Sequence, residues 1–294
     1  MFERFYPGMP WAAHRAVWPH AQHSRFVTAG GIQWHVQSWG QGPCMLLLHG
    51  TGSGSFSWRD LLPSLSQHFT VVAPDLPGHA FSSRGPEGAL SLPGMSEGLR
   101  ALMLQLDLTP TVIVGHSAGA AIAAHMVLQH SKMAQSTLIG LNPAWLPLPG
   151  VASWAFGPAA KLAAINPLSA WATAKIAAKH GYIAEWIART GSTLDAQGEN
   201  LYTRVLSDSG HVHGVLSMMA AWQLKPLSGR LHQIKTPVYM AIGSNDQTIP
   251  PSLADEVCQR LLQAQKTMQI GKGHLAHEED PAGTVQQILR WCGV

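Results

Sequence analysis

The amino-acid sequence predicts an α/β domain carried by a mostly parallel sheet of about eight strands. Three observations predict it. Short apolar runs recur: Cys44–Leu48 is apolar at every position, Phe69–Ala73 and Val112–Val114 are similar, and Thr137–Leu141 and Val238–Ile242 follow. Helix-like stretches separate several of them, near 57–67, 95–106 and 118–130. The 294 residues are 46% hydrophobic and 12% charged, about half the charge of an average soluble domain. A strand that is apolar throughout is one covered on both faces, and strands alternating with helices form right-handed parallel crossovers.

The elements follow in chain order. Residues 1–23 are rich in Pro, His and Trp without periodicity, and read as an irregular N-terminal arm. Phe26–Thr28, the turn Ala29-Gly30-Gly31 and the alternating run Ile32–Gln37 predict an antiparallel hairpin with one half-buried strand. The apolar strands then succeed one another as far as Leu141, and Thr267–Ile270 is read as the last strand. The interval 142–234 breaks the alternation. It is Ala- and Trp-rich, carries helical patterns and no convincing strand, and is read as a helical lid inserted into a core made of 24–141 and 235–294.

Composition excludes several classes of function. High hydrophobicity with low charge is incompatible with disorder. Between Asp107 and Lys161 the only fully charged residue is Lys132, yet the charge-free piece Met133–Ala160 is interrupted by prolines 143, 147, 149 and 158, and no run of about 20 apolar residues, the length of a membrane span, occurs anywhere. A net charge of +3 from scattered Lys and Arg gives no footprint for nucleic acid. Cys44, Cys258 and Cys292 form no C-x-x-C pair, and an odd count argues against a disulfide framework. The opening MFERFYPGMPW lacks an apolar signal core, so a reducing, cytoplasmic compartment is expected.

Chemistry enters at Gly115-His116-Ser117-Ala118-Gly119, set between an apolar strand and a helix. A G-x-S-x-G turn in that context is a nucleophile elbow, whose glycines remove Cβ clashes around a strained serine. His49-Gly50-Thr51-Gly52 follows the strand ending at Leu48, and such a loop supplies one amide of an oxyanion hole while the residue after the nucleophile supplies the other. The amides expected are those of Thr51 and Ala118. Asp246 follows the strand Val238–Ile242, and His274 follows the expected last strand, so both stand where an open α/β sheet places its site. Ser117 is then the nucleophile, His274 the base and Asp246 the acid that fixes the imidazole tautomer. His277 is the rival base, Asp75 and Glu278 are the rival acids, and His116 is expected to pack beneath the elbow. No cofactor or metal is required for this chemistry.

Together HGTG, DLPGHAFS (Asp75–Ser82), GHSAG, GSNDQTIP (Gly243–Pro250) and GKGHLAHEEDP (Gly271–Pro281) resemble the α/β-hydrolase superfamily over about residues 24–292. The resemblance implies the α/β-hydrolase fold and the same three residues, Ser117, Asp246 and His274, in the same roles. Serine at the elbow argues against the dehalogenase and epoxide-hydrolase branches, which use aspartate. Ala80 stands where the family usually has a second glycine, and an altered turn is expected there. More narrowly, Arg25–Pro43, Ile165–Trp171, TGSTLDAQG (Thr190–Gly198) and HVHGVLSMMAAWQL (His211–Leu224) resemble the magnesium-chelatase accessory hydrolases of bacteriochlorophyll biosynthesis. That resemblance implies a link to photosynthetic magnesium-porphyrin metabolism and magnesium chelatase as a partner; it implies no particular substrate.

The insertion adds a clue to the ligand. Trp145, Trp154, Phe156, Trp171, Trp186, Trp222, Met218 and Met219 all fall within it. Most are expected to bind the helices to the sheet, while Trp145, Trp154, Trp222 and Met218 are candidates to line a pocket for a tetrapyrrole or another bulky hydrophobic ester. His211-x-His213 reads as two solvent-facing loop histidines, with axial ligation of a magnesium centre as the sharper alternative. A peripheral membrane contact through the apolar lid is a further expectation, although no strongly basic amphipathic helix supports it. Two functions other than ester hydrolysis are compatible with these residues: a non-catalytic porphyrin carrier serving magnesium chelatase, and hydrolysis of a C–C bond.

Overall fold

The computed structural model describes residues 9–148, 163, 166–261 and 263–294. Eight strands form one sheet: β1 (Ser24–Ala29), β2 (Ile32–Trp39), β3 (Cys44–Leu48), β4 (Thr70–Pro74), β5 (Pro110–His116), β6 (Thr137–Leu141), β7 (Val238–Gly243) and β8 (Ala264–Gln269). Their order across the sheet is β1-β2-β4-β3-β5-β6-β7-β8. The β1–β2 hairpin is antiparallel and joins β4 antiparallel, and every pairing from β4 to β8 is parallel. This is the α/β-hydrolase fold that the motifs imply.

The period-2 geometry of a strand explains why β3 is apolar throughout. Cys44, Leu46 and Leu48 enter one core cluster and Met45 and Leu47 enter another, on the opposite face. In β5, Ile113 and the pair Val112 and Val114 divide in the same way. Helices α1 (Leu92–Gln105) and α2 (Ala118–Gln129) cover the first face, and the turn around Trp58–Leu65 covers the second. At the far edge the pattern changes. Strand β8 reads AQKTMQ with no fully buried residue, and Ile270, expected inside it, lies beyond its end and is exposed. A polar edge strand of this kind resists pairing with another chain.

Two expected elements differ. The helix foreseen near 57–67 is a 3₁₀ turn at Ser55–Trp58 followed by one α turn at Leu62–Leu65. Pro63, with no N–H and a ring that crowds the preceding turn, prevents a helix from running through the segment. Residues 9–23, read as irregular, contain a helical turn at Trp11–His14 and 3₁₀ turns at Arg15–Val17 and Ala21–His23. Trp18 anchors them, buried edge-on against Phe56 and Phe81.

Between β6 and β7 the described residues hold α3 (Pro167–Ala177), α4 (Tyr182–Ala188), α5 (Ala196–Leu206) and α6 (Ser209–Ala221). Asn166, Asp195 and Asp208 cap α3, α5 and α6, each accepting a backbone N–H at the helix start. After β7 come α7 (Leu253–Arg260) and, at the C-terminus, α8 (Pro281–Trp291), whose Val285 and Ile288 complete the second core face. No helix among the described residues is long and apolar enough to cross a membrane.

Candidate active site

The expected residues collect at the C-terminal ends of the parallel strands. Ser117 follows β5 directly and caps α2 with φ 51° and ψ −118°, a conformation that side-chain-bearing residues adopt only under constraint. The constraint is visible on both sides. The Ser117 amide donates to the Leu141 carbonyl at 3.0 Å, and its carbonyl accepts from Ala144 at 3.1 Å. A Cβ on Gly115 would stand 2.4 Å from Ala120, and one on Gly119 would stand 2.1 Å from the Leu48 carbonyl oxygen. Neither position of the G-x-S-x-G turn admits a side chain.

Asp246 and His274 meet at 2.8 Å, Nδ1 to Oδ2. The carboxylate only accepts, so Nδ1 carries the proton and Nε2 is left as the basic nitrogen. Asp246 is itself held in place: Oδ1 accepts from the Thr248 and Ile249 amides at 2.7 and 2.8 Å, and Oδ2 also accepts from Asn142 Nδ2 at 2.7 Å. Burial alone would raise its carboxyl, but the hydrogen bond from His274, with the Ile249 amide and Asn142, outweighs burial and holds it below the usual range. Among the described residues the Ser117 hydroxyl makes no hydrogen bond, to His274 or to any other group. A bond between a nucleophile and its base often tightens only once substrate is bound.

Of the two expected oxyanion donors, neither the Thr51 nor the Ala118 amide has an acceptor among the described residues. Gly50 brings the first loop against the elbow: a Cβ there would lie 3.1 Å from Ser117 Cβ and 2.8 Å from His116 Nδ1. His49 anchors that loop, accepting the Leu76 amide on Nε2 at 2.8 Å. His116 is buried under the elbow and donates from Nε2 to the His274 carbonyl at 2.9 Å. Burial, reinforced by repulsion from His274, pushes its pKa down to about 3, so it stays neutral there.

The rival residues are engaged elsewhere. His277 is buried between Trp58 and His116, with ring centroids 5.0 and 4.4 Å away. Asp75 is paired with His35 at 2.8 Å and accepts from the Ser55 and Phe81 amides. Glu278 accepts from Arg59 Nη1 at 2.5 Å and from the Tyr202 hydroxyl at 2.7 Å, while burial pushes its carboxyl up to about 7.

His211 and His213 do not face solvent from a loop: both are buried on α6. His211 accepts the Ala80 amide on Nδ1 at 2.8 Å and donates from Nε2 to the Gly52 carbonyl at 3.3 Å, which uses both nitrogens and leaves none for a metal. The altered turn at Ala80 is thereby explained, since its φ of 42° is held from outside by His211. Close approach of α6 to this turn depends on Gly214, where a Cβ would stand 1.8 Å from the Gly78 carbonyl oxygen.

The four pocket candidates separate. Trp145 is completely buried, with its indole N–H donating to the Ala120 carbonyl at 2.7 Å, so α2 accounts for it without a ligand. Trp222 is partly buried against the same core. Met218 is buried with its sulfur accepting from Thr51 Oγ1 at 3.9 Å, next to the oxyanion loop. Trp154 lies outside the described residues. Asn142 went unforeseen. Its signal was an Asn ending an apolar strand before a Pro, and it adopts φ 45° at the C-terminal end of β6.

Comparison with known proteins agrees with this fold. Residues 43–281 match the alpha/beta hydrolase fold family model. The magnesium-chelatase 30 kDa subunit of Rhodobacter capsulatus is 35% identical over 278 residues, 94% of this chain and 96% of that protein. An esterase from Exiguobacterium antarcticum superposes with a TM-score of 0.76 at 16% identity, covering 92% of this chain and 99% of the esterase. The enol-lactonase of Burkholderia xenovorans LB400 gives 0.72 at 19% identity, covering 92% and 100%. The last two show the shared fold. The chain belongs to the α/β-hydrolase fold family, and resembles within it the magnesium-chelatase 30 kDa subunit.

Proposed function

We propose that the protein is a serine hydrolase that cleaves an ester-like bond of a bulky hydrophobic substrate through an acyl-enzyme on Ser117. One observation carries the reading: the Asp246–His274 pair is tied through the His274 carbonyl to His116, the neighbour of a serine held at φ 51°, and the Thr51 and Ala118 amides have no acceptor among the described residues. His274 Nε2 takes the Ser117 proton as Oγ attacks the carbonyl, and the Thr51 and Ala118 amides receive the developing oxyanion. The same imidazole then protonates the leaving group, and water, deprotonated by it, releases the acid. The scarcity of charge from 108 to 160 favours an apolar substrate over a small ionic one. Helices α3–α6 act as the lid over the site. Similarity to a magnesium-chelatase subunit favours a substrate from magnesium-porphyrin metabolism, handled in the cytoplasm beside the chelatase.

A panel of p-nitrophenyl esters with acyl groups of increasing size tests the reading. Turnover rising with apolar bulk, and falling about 10⁴-fold in Ser117→Ala, is expected. Near-normal hydrolysis by Ser117→Ala overturns it. The relative's designation as a subunit favours a second reading, a porphyrin carrier. Porphyrin bound tightly by wild type and Ser117→Ala alike, with no product, would establish that reading instead.

A further inference from the structure

We propose that the segment Thr190–Asp195 is a strap by which the lid sets the geometry of the acid–base pair; the proposal rests on the serine-hydrolase reading. The motif TGSTLD, between α4 and α5, carries no chemistry of its own. Yet it is tied to both loops that bear the pair. The Thr190 carbonyl oxygen accepts two amides, that of His274 at 3.2 Å and that of Gln247, the neighbour of Asp246, at 3.1 Å. A single oxygen thus brackets the base and the acid from the lid side.

The rest of the strap tightens that bracket. Gly191, at φ 82°, leaves no room for a side chain: a Cβ would stand 1.9 Å from the Asn245 carbonyl oxygen. From the opposite side, a Cβ on Gly273 would stand 2.2 Å from the Gly191 carbonyl carbon. Ser192 Oγ, buried, accepts the Leu275 amide at 2.8 Å. Glu279 joins strap and base loop, accepting the Thr193 amide at 3.1 Å on one oxygen and the Gly273 amide at 2.7 Å on the other. A second tether lies just beyond. Arg59 reaches Asp195 at 3.4 Å and Glu278 at 2.5 Å, and Tyr202 of α5 donates to the same Glu278. Leu194 and Leu201 share an apolar cluster with Leu275, so packing and hydrogen bonds act on the same loop.

The consequence is mechanical. Any movement of the lid that displaces Thr190 pulls on His274 and on the loop of Asp246 together, so the 2.8 Å bond between them depends on where the lid sits. Thr190, Gly191 and Ser192 are positioning residues, since nothing in the geometry has them touch the reacting atoms.

Gly191→Ala and Ser192→Ala test this in the full-length protein with a fluorophosphonate probe. Labelling is resolved into a maximal rate and a half-saturating concentration, and the Nδ1 proton between His274 and Asp246 is followed by low-field proton NMR. Expected are maximal rates about 100-fold lower for Gly191→Ala and about 10-fold lower for Ser192→Ala, with half-saturation within twofold of wild type. The low-field resonance should shift or broaden in both. If Gly191→Ala fails to fold, Ser192→Ala decides. Labelling by a folded Ser192→Ala at the wild-type maximal rate, or with only half-saturation altered, overturns the strap. Wild type that takes no label at all overturns the serine-hydrolase reading beneath it.

Discussion

Among the described residues, two buried aspartate–histidine pairs are nearly identical in local geometry. Asp246–His274 and Asp75–His35 both join Nδ1 to Oδ2 at 2.8 Å, and in each the aspartate also accepts two backbone amides. What differs is the far side of the imidazole. His35 Nε2 is buried without a hydrogen-bond partner among the described residues, its ring packed against Trp11, Trp18, Phe26 and Phe81. His274 is bonded through its carbonyl to His116, the residue before the strained serine. An Asp–His pair is therefore no signature of catalysis by itself. In the proposed mechanism the strained serine and the amides without acceptors set the Asp246–His274 pair apart, while the second pair fastens β2 to the turn after β4.

The largest effect that sharpens this contrast is on turnover. Asp246→Asn should leave the fold intact and lower ester hydrolysis about 10⁴-fold, because the amide favours the wrong tautomer of His274. Asp75→Asn should do the reverse. It should cost about 3–5 kcal/mol of stability in urea unfolding, as expected when a buried pair is broken, while the folded fraction hydrolyses ester at nearly the wild-type rate. Equal losses of turnover in the two variants would break the comparison.

A smaller effect concerns pH. Burial lowers the pKa of His211 to about 4 and of His116 to about 3, and also lowers those of His49, His79 and His277. For a histidine kept neutral by burial the unfolded chain binds the proton first. The stability these groups contribute is fully present above pH 6.5 and is lost as pH falls towards 4. At pH 5 His211 and His116 should each cost roughly 2 kcal/mol. Urea unfolding should show a stability that declines steadily from pH 7 to 5, and His211→Gln should flatten part of the slope. Asp75, held near 2 although burial opposes it, adds its own loss only below about 3.8. A flat profile between pH 7 and 5 would contradict the burial argument.

Sequence made some of this legible and concealed the rest for a physical reason. The strands are local: whether a run such as Cys44–Leu48 is covered on both faces is written in its five residues. The turn at Ser117 and the loops of Asp246 and His274 are also local, each a short motif at a strand end. Asn142, the His211 clamp on Ala80 and the strap at Thr190 arise from contacts between residues far apart in sequence, 104 positions in the case of Asn142 and Asp246. Trp145 illustrates the same limit. Its neighbours in the chain make it look like part of an aromatic lid, but its indole bonds to Ala120 beneath the elbow helix.

The central claim, that Ser117 is a live nucleophile driven by His274, is tested most directly by mass spectrometry of the purified protein after fluorophosphonate treatment. The account predicts one adduct, mapped to Ser117, absent in Ser117→Ala and formed far more slowly in His274→Ala. No adduct on the wild type, or one that persists in Ser117→Ala, would contradict it.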